Sequence, residues 1–202
     1  QRVSSSSTSS DPRSTDTALK PHVTTAAPEL RVRLCHTSQL ETHRFAQLRR
    51  LCETAFDGDF DAFDFDHALG GMHALVVDAD DQLLAHAAVV ARAVLVGDRP
   101  LRCGYVEAVA VAPQHQRRGF GGAVMTAVEE VIERAYDLGA LGASDAGARL
   151  YRTHGWRAWR GSLGVLSPDG WVPTPDDEGA VLVRAVGVNV SFDERLTCDW
   201  RG

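Results

Sequence analysis

Apolar and polar positions alternate strictly over residues 30–34 (LRVRL), the period-2 pattern of a half-buried strand. Residues 41–56 then read as a helix, with Thr37 or Ser38 as its cap. Apolar runs at 72–77 and 83–96, joined by the polar turn Asp78, Ala79, Asp80 and Asp81, predict a strand hairpin. Gly97, Asp98, Arg99 and Pro100 turn the chain toward a Val-rich run at 105–112, continuous enough for a strand buried on both faces, which Pro113 stops. From Phe120 the period changes. Val124, Val128, Val131, Ile132, Ala135 and Tyr136 recur at helical spacing, with Glu129, Glu130 and Glu133 on the other side. A short strand at 139–143, a helix at 145–152 ending near Gly155, and strands at 156–166 and 181–190 complete the pattern. The predicted order is β-α-β-β-β-α-β-α-β-β, a mixed α/β sheet in one domain over 29–202. Residues 1–28 are rich in Ser, Thr and Pro with almost nothing large to bury, and are expected to be disordered.

The turn between the central strand and its helix, Gln116-Arg117-Arg118-Gly119-Phe120-Gly121-Gly122, carries the chemistry. The first amides of a helix lack intrahelical partners and sit at the positive end of its dipole, glycines allow close approach, and arginines add charge. That combination suits an anion such as a diphosphate. The segment lacks the P-loop pattern and the G-x-G-x-x-G register. It resembles the pyrophosphate signature [QR]-x-x-G-x-[GA] of the GNAT acetyltransferase superfamily, preceded by a strand of the form V-x-V-x-P, here Val109, Val111 and Pro113. The resemblance implies the GNAT acyltransferase fold with a splayed central strand. It also implies that Val109, Ala110 and Val111 meet the pantetheine arm of acetyl-CoA while residues 116–122 hold its diphosphate.

Composition changes the picture only by exclusion. The 202 residues carry a formal net charge of −6, with 44% hydrophobic and 24% charged positions, an ordinary globular chain without the basic face of a nucleic-acid binder. No apolar run reaches the ~20 residues of a membrane-spanning helix. Cys35, Cys52, Cys103 and Cys198 lack C-x-x-C spacing, so free thiols in a reducing cytoplasm are expected, with neither a disulfide nor a metal site.

Residues 56–67 (FDGDFDAFDFDH) interleave Asp and Phe. An EF-hand starting at Asp57 fails, because Ala62 and Ala68 stand where Gly and Glu are required. The stretch reads either as a lid whose carboxylates bind a polycation or as a solvated acidic loop. Glu107, inside an apolar strand, is a candidate general base for an ammonium substrate, or else the partner of a salt bridge to Arg102. Tyr151 could protonate a departing thiolate, or simply belong to the core. His73 and His86 lie on strands and are read as structural.

Longer blocks resemble the actinobacterial aminoglycoside 2′-N-acetyltransferases: GDF at 58–60, LGGMHAL at 69–75, AHAAVV at 85–90, LRCGYVEAVAV at 101–111, AYDLGAL at 135–141, LY…GW at 150–156, TPDDEG at 174–179 and CDWR at 198–201. This resemblance runs from about residue 30 onward. It implies acetylation of an aminoglycoside 2′-amino group within a ternary complex, by a homodimer with no nucleic-acid or membrane partner. Glu107 would be the remote base and Tyr151 the acid, with Asp59, Asp64, Glu107, Ala108, Gly142, Asp176 and Asp177 lining the antibiotic site. At Gly142 family members can carry Ser, which leaves only a backbone contact here. The family also continues past CDWR to a terminal Trp, where this sequence reads Gly202, so weaker substrate affinity is expected if the chain ends there. Two alternatives stand beside this reading: an N-acetyltransferase for another amine, such as a cell-wall amino sugar or a mycothiol-type precursor, and a non-catalytic acyl-CoA sensor.

Overall fold

The computed structural model describes residues 31–199, so the expectation for residues 1–28 and the sequence beyond Asp199 lie outside the described residues. Strand β1 (Val32–His36) leads through a 3-10 turn to α1 (Thr42–Ala55) and α2 (Ala62–His67). The long hairpin arms follow: β2 (Met72–Val77), β3 (Leu83–Val96) and β4 (Arg99–Val111). Then come α3 (Phe120–Ala135), β5 (Leu138–Gly142), α4 (Asp145–Thr153), β6 (Arg157–Ala158), β7 (Leu163–Ser167), β8 (Gly170–Pro173), β9 (Val181–Ala185) and β10 (Leu196–Asp199).

Among the described residues ten strands form one mixed sheet in the order β6-β9-β5-β4-β3-β10-β7-β8, with β2 paired to the first half of β3 and β1 to β2. One edge of β3 is shared, its early residues pairing with β2 and Val94–Val96 with β10. Helix α3 buries Val124, Met125, Val128 and Ile132 against β2, β3 and β4 on one face of the sheet. Each such side chain contributes roughly 1.5–3 kcal/mol. On the other face α1 seals Leu48, Leu51 and Cys52 against Leu75, Ala110 and Ala112.

Several expectations are corrected. Neither Thr37 nor Ser38 caps the first helix: His36 caps the 3-10 turn, and Glu41 precedes α1 without a side-chain cap. The acidic stretch is not all loop, because Asp61 accepts from the amides of Phe63 (2.7 Å) and Asp64 (3.0 Å) and starts α2. The predicted strand at 156–166 is two strands, interrupted where Arg160 and Gly161 donate their amides to the Phe192 carbonyl. β8 and β10 add strands the pattern did not predict. Glu129, assigned to the polar side of α3, is buried, taking the Trp156 indole N–H at 2.6 Å and His154 Nδ1 at 3.0 Å.

Candidate active site

The site begins with a strand that loses a neighbour. β4 runs parallel to β5 from Cys103 to Val106, and the pairing stops there, while β3 continues along its other edge to Val111. Within that continuation the register slips between His86 and Ala88, and Ala108 on the bulged strand adopts φ 50°. A bulge and a positive φ in a non-glycine residue mark strain of the kind that re-aims backbone at functional sites. β4 therefore leaves β5 and opens a cleft of about 570 Å³.

One end of the cleft is the start of α3. Gly119 is its N-cap at φ 87°, no side chain caps the first turn, and Arg117 beside it also has positive φ, at 60°. Gln116, Arg117, Gly119, Gly121 and Gly122 line the cleft, as do Val109 and Val111. An added Cβ on Gly121 would stand 3.2 Å from Leu150, so bulk there would narrow the passage. Uncapped helix amides, a neighbouring guanidinium and open backbone form a receptor for an anionic diphosphate.

The side chains of three predicted members of this set turn elsewhere. Ala110 points to the α1 core, because alternate strand residues face opposite sides. Arg118 folds onto His115 Nδ1 (3.0 Å) and the Phe120 ring, and Phe120 itself packs on the main core.

Glu107 and Ala108 line the middle of the cleft. The partner of Glu107 is Arg92, with Nη2 at 2.6 Å from Oε1; Arg102 instead bonds Asp137 at 3.1 Å. Strand parity explains the choice. Residues 102 and 107 are five apart on β4 and face opposite sides, whereas Arg92 stands four residues from Ala88, the cross-strand partner of Glu107. The Arg92 guanidinium also lies 4.6 Å from the Tyr105 ring centroid. A charged donor this close orients the carboxylate.

Tyr151, on α4, lines the cleft though buried, and burial pushes its hydroxyl up to about 12. It is therefore a protonated phenol at neutral pH, able to donate. One face of α4 supplies further wall from Ala146, Gly147, Arg149, Leu150 and Thr153, residues that sequence reasoning did not single out. Their three- and four-residue spacing was the available signal.

Asp59, Asp64 and Gly142 also line the cleft. The rings of Phe56 and Phe60, also in the wall, stack with centroids 5.3 Å apart. Asp64 has a second task, since its Oδ2 accepts the Asp61 amide at 3.0 Å. Asp176 and Asp177 are not brought to the cleft: they form an exposed 3-10 turn, Pro175–Asp177, following β8. Among the described residues, no group of three or more His, Cys, Asp or Glu could hold a metal ion.

An open strand edge beside an uncapped, glycine-rich helix start is the arrangement of an acyl-CoA-dependent N-acyltransferase. The acetyltransferase (GNAT) domain family matches residues 36–159, and the chain belongs to it. Within it the chain falls in the aminoglycoside 2′-N-acetyltransferase family, being 46% identical over 173 residues to that protein of Mycolicibacterium fortuitum, 84% of this chain and 88% of the relative. Solved structures share the fold at low identity. Escherichia coli YhbS, a GNAT family N-acetyltransferase in complex with CoA, gives a TM-score of 0.57 at 14% identity, covering 87% of this chain and 93% of that one. A GNAT family acetyltransferase from Brucella melitensis in complex with acetyl-CoA gives 0.54 at 16% identity, covering 83% and 96%. The chain spans about a third (32–34%) of three longer solved proteins that it also matches. The protein is thus an acetyltransferase of a superfamily whose members take acetyl-CoA or CoA.

Proposed function

We propose that the protein transfers the acetyl group of acetyl-CoA to the 2′-amino group of aminoglycoside antibiotics, by direct attack within a ternary complex, and so confers resistance. The observation that carries this reading is a cleft with an anion receptor at one end and the carboxylates of Asp59, Asp64 and Glu107 along its walls, in a chain 46% identical to such an enzyme. A polycationic sugar needs carboxylates, each charge-assisted hydrogen bond supplying ~1.5–3 kcal/mol.

In this reading the α3 start and Arg117 hold the diphosphate. The Val109 and Val111 amides along the open edge of β4 hold the pantetheine arm and face the thioester carbonyl. Glu107 accepts a proton from the substrate ammonium through water, and the freed amine attacks the carbonyl carbon. The C–N bond forms as the C–S bond breaks, Tyr151 gives its proton to the leaving thiolate, and the second proton shed by the acylated nitrogen restores the phenol through solvent. Gly142 offers only backbone to the sugar. The enzyme works as a cytoplasmic homodimer, a reading supported by four free cysteines and by the exposed Leu166, Trp171 and Val172 of the β7–β8 hairpin.

The test is thiol release from acetyl-CoA with gentamicin or tobramycin beside amikacin or kanamycin A, which carry a 2′-hydroxyl. Turnover is expected with the first pair alone; silence with all four while acetyl-CoA still binds would refute the substrate assignment. Glu107→Gln should lower turnover about a hundredfold near and below neutral pH, where the amine is charged. An unchanged pH–rate profile would remove Glu107 from proton transfer.

A further inference from the structure

Two histidines behind the bulge are fully buried, and proton transfer as described above does not use them. His86 Nδ1 lies 2.8 Å from the Ala108 carbonyl oxygen, His73 Nδ1 lies 2.9 Å from His86 Nε2, and His73 Nε2 lies 2.7 Å from Thr37 Oγ1. A carbonyl can only accept, so His86 carries its hydrogen on Nδ1 and accepts on Nε2. His73 must then donate from Nδ1 and accept on Nε2, which requires the Thr37 hydroxyl as donor. Thr37 Oγ1 in turn accepts the amides of Gly70 (2.9 Å) and Gly71 (3.2 Å), and of the two acceptors within reach of its single hydrogen, His73 Nε2 at 2.7 Å and the Gly71 carbonyl at 3.2 Å, His73 is the nearer and the one that has no other donor. Every link has one allowed direction, and both ends are tied to backbone.

Burial suppresses protonation of both rings, holding His73 down to about 4 and His86 to about 3, so each stays neutral, as the chain requires. An aliphatic side chain would fill this space without needing partners. A buried polar chain satisfied at each atom is there for direction. Its last bond falls on Ala108, the residue with φ 50° at the register slip. In a trans peptide the C=O and the next N–H point opposite ways. With the Ala108 carbonyl held toward β3, the Val109 N–H turns from β3 into the gap where β4 has left β5.

We propose that Thr37, His73 and His86 form a one-way hydrogen-bond chain that fixes the Ala108–Val109 peptide plane and so aims the Val109 amide at the thioester carbonyl. These are positioning residues, and the inference rests on reading the gap beside β4 as the thioester site. The chain does not move a proton in the reaction. It sets the angle of a donor whose value depends on pre-organisation.

Two measurements test it. Long-range 1H–15N spectra of histidine-labelled wild-type protein at neutral pH should give the Nδ1–H tautomer for both rings; an Nε2–H tautomer at either would overturn the chain. His86→Leu, checked for folding by melting temperature and CoA binding, should lower kcat about tenfold or more. KM for acetyl-CoA and for the aminoglycoside should stay within about twofold. His86→Asn, which keeps an N–H near the Nδ1 position, should recover much of the loss. Should His86→Leu fail to fold, Thr37→Val at the outer end carries the same kcat test, with Thr37→Ser as its rescue. Full kcat in a folded variant, or a loss expressed in KM alone, would overturn the positioning role. Failure of the substrate assignment reads differently: wild-type enzyme would then be silent on aminoglycosides, whatever tautomers its histidines hold.

Discussion

Arg92 reaches Glu107 across a strand boundary, and the pair is mostly shielded from water, with side-chain exposures of 8% and 20%. Sequence offered Glu107 as an isolated charge in an apolar run and could not name its partner, because the β3–β4 register is a tertiary fact. Parity alone would have removed Arg102, five residues away. Tyr151 was legible only as a tyrosine in the right family block; what makes it fit is Gly147, one helical turn earlier. A Cβ there would stand 2.9 Å from the Tyr151 ring and 3.3 Å from its hydroxyl. Gly147→Ala should therefore displace the phenol and lower kcat several-fold with a melting temperature close to that of wild type, since Ala is the better helix former by ~1 kcal/mol. Stopped thiol-release assays beside a thermal melt check this. At Gly142, by contrast, the nearest atom to an added Cβ is the Tyr105 hydroxyl oxygen at 3.9 Å. The side chain missing there leaves room, so Gly142→Ser should fold normally and shift KM for the aminoglycoside without moving KM for acetyl-CoA.

At the level of elements, α3 and β4 announced themselves through a change of period from continuous apolar to 3.6, and their inner ends, Phe120 and Val111, lie within one residue of the predicted Phe120 and Ala112. α2 did not, because five aspartates among four phenylalanines read as loop chemistry, whereas Asp61 and Asp64 exchange backbone and side-chain bonds at its start. Charge density there is partly capping. Asp61→Ala should cost about 1 kcal/mol of local stability and loosen the wall that carries Asp59 and Asp64. The expected reading is a higher KM for the aminoglycoside with KM for acetyl-CoA unchanged, since the α3 end of the cleft is untouched. β8 was missed although Pro168-Asp169-Gly170 is a turn signature, and β10 because four residues are too few for a period to register.

For the molecule as a whole, the buried histidine pair sets a limit in acid. Both folded values lie below the ordinary histidine range, His73 at about 4 and His86 at about 3, chiefly through burial. The unfolded chain thus binds more protons than the folded one once pH falls below ~6.5, and stability, fully present above that value, declines as pH drops toward 4. Chemical denaturation at pH 7.5, 6, 5 and 4 should give falling midpoints, with a shallower slope in His73→Phe if that variant folds. The sheet is also completed in an order that differs from chain order. Among the described residues β10 follows every other strand in sequence, yet it occupies a slot between β3 and β7. While the chain is synthesised, at roughly 5–20 residues per second, the β3 and β7 edges that flank this slot therefore stay open until β10 emerges. Synthesis, rather than the finished protein, is the stage at which such edges invite pairing with other nascent chains, and occupancy of that slot is what closes them.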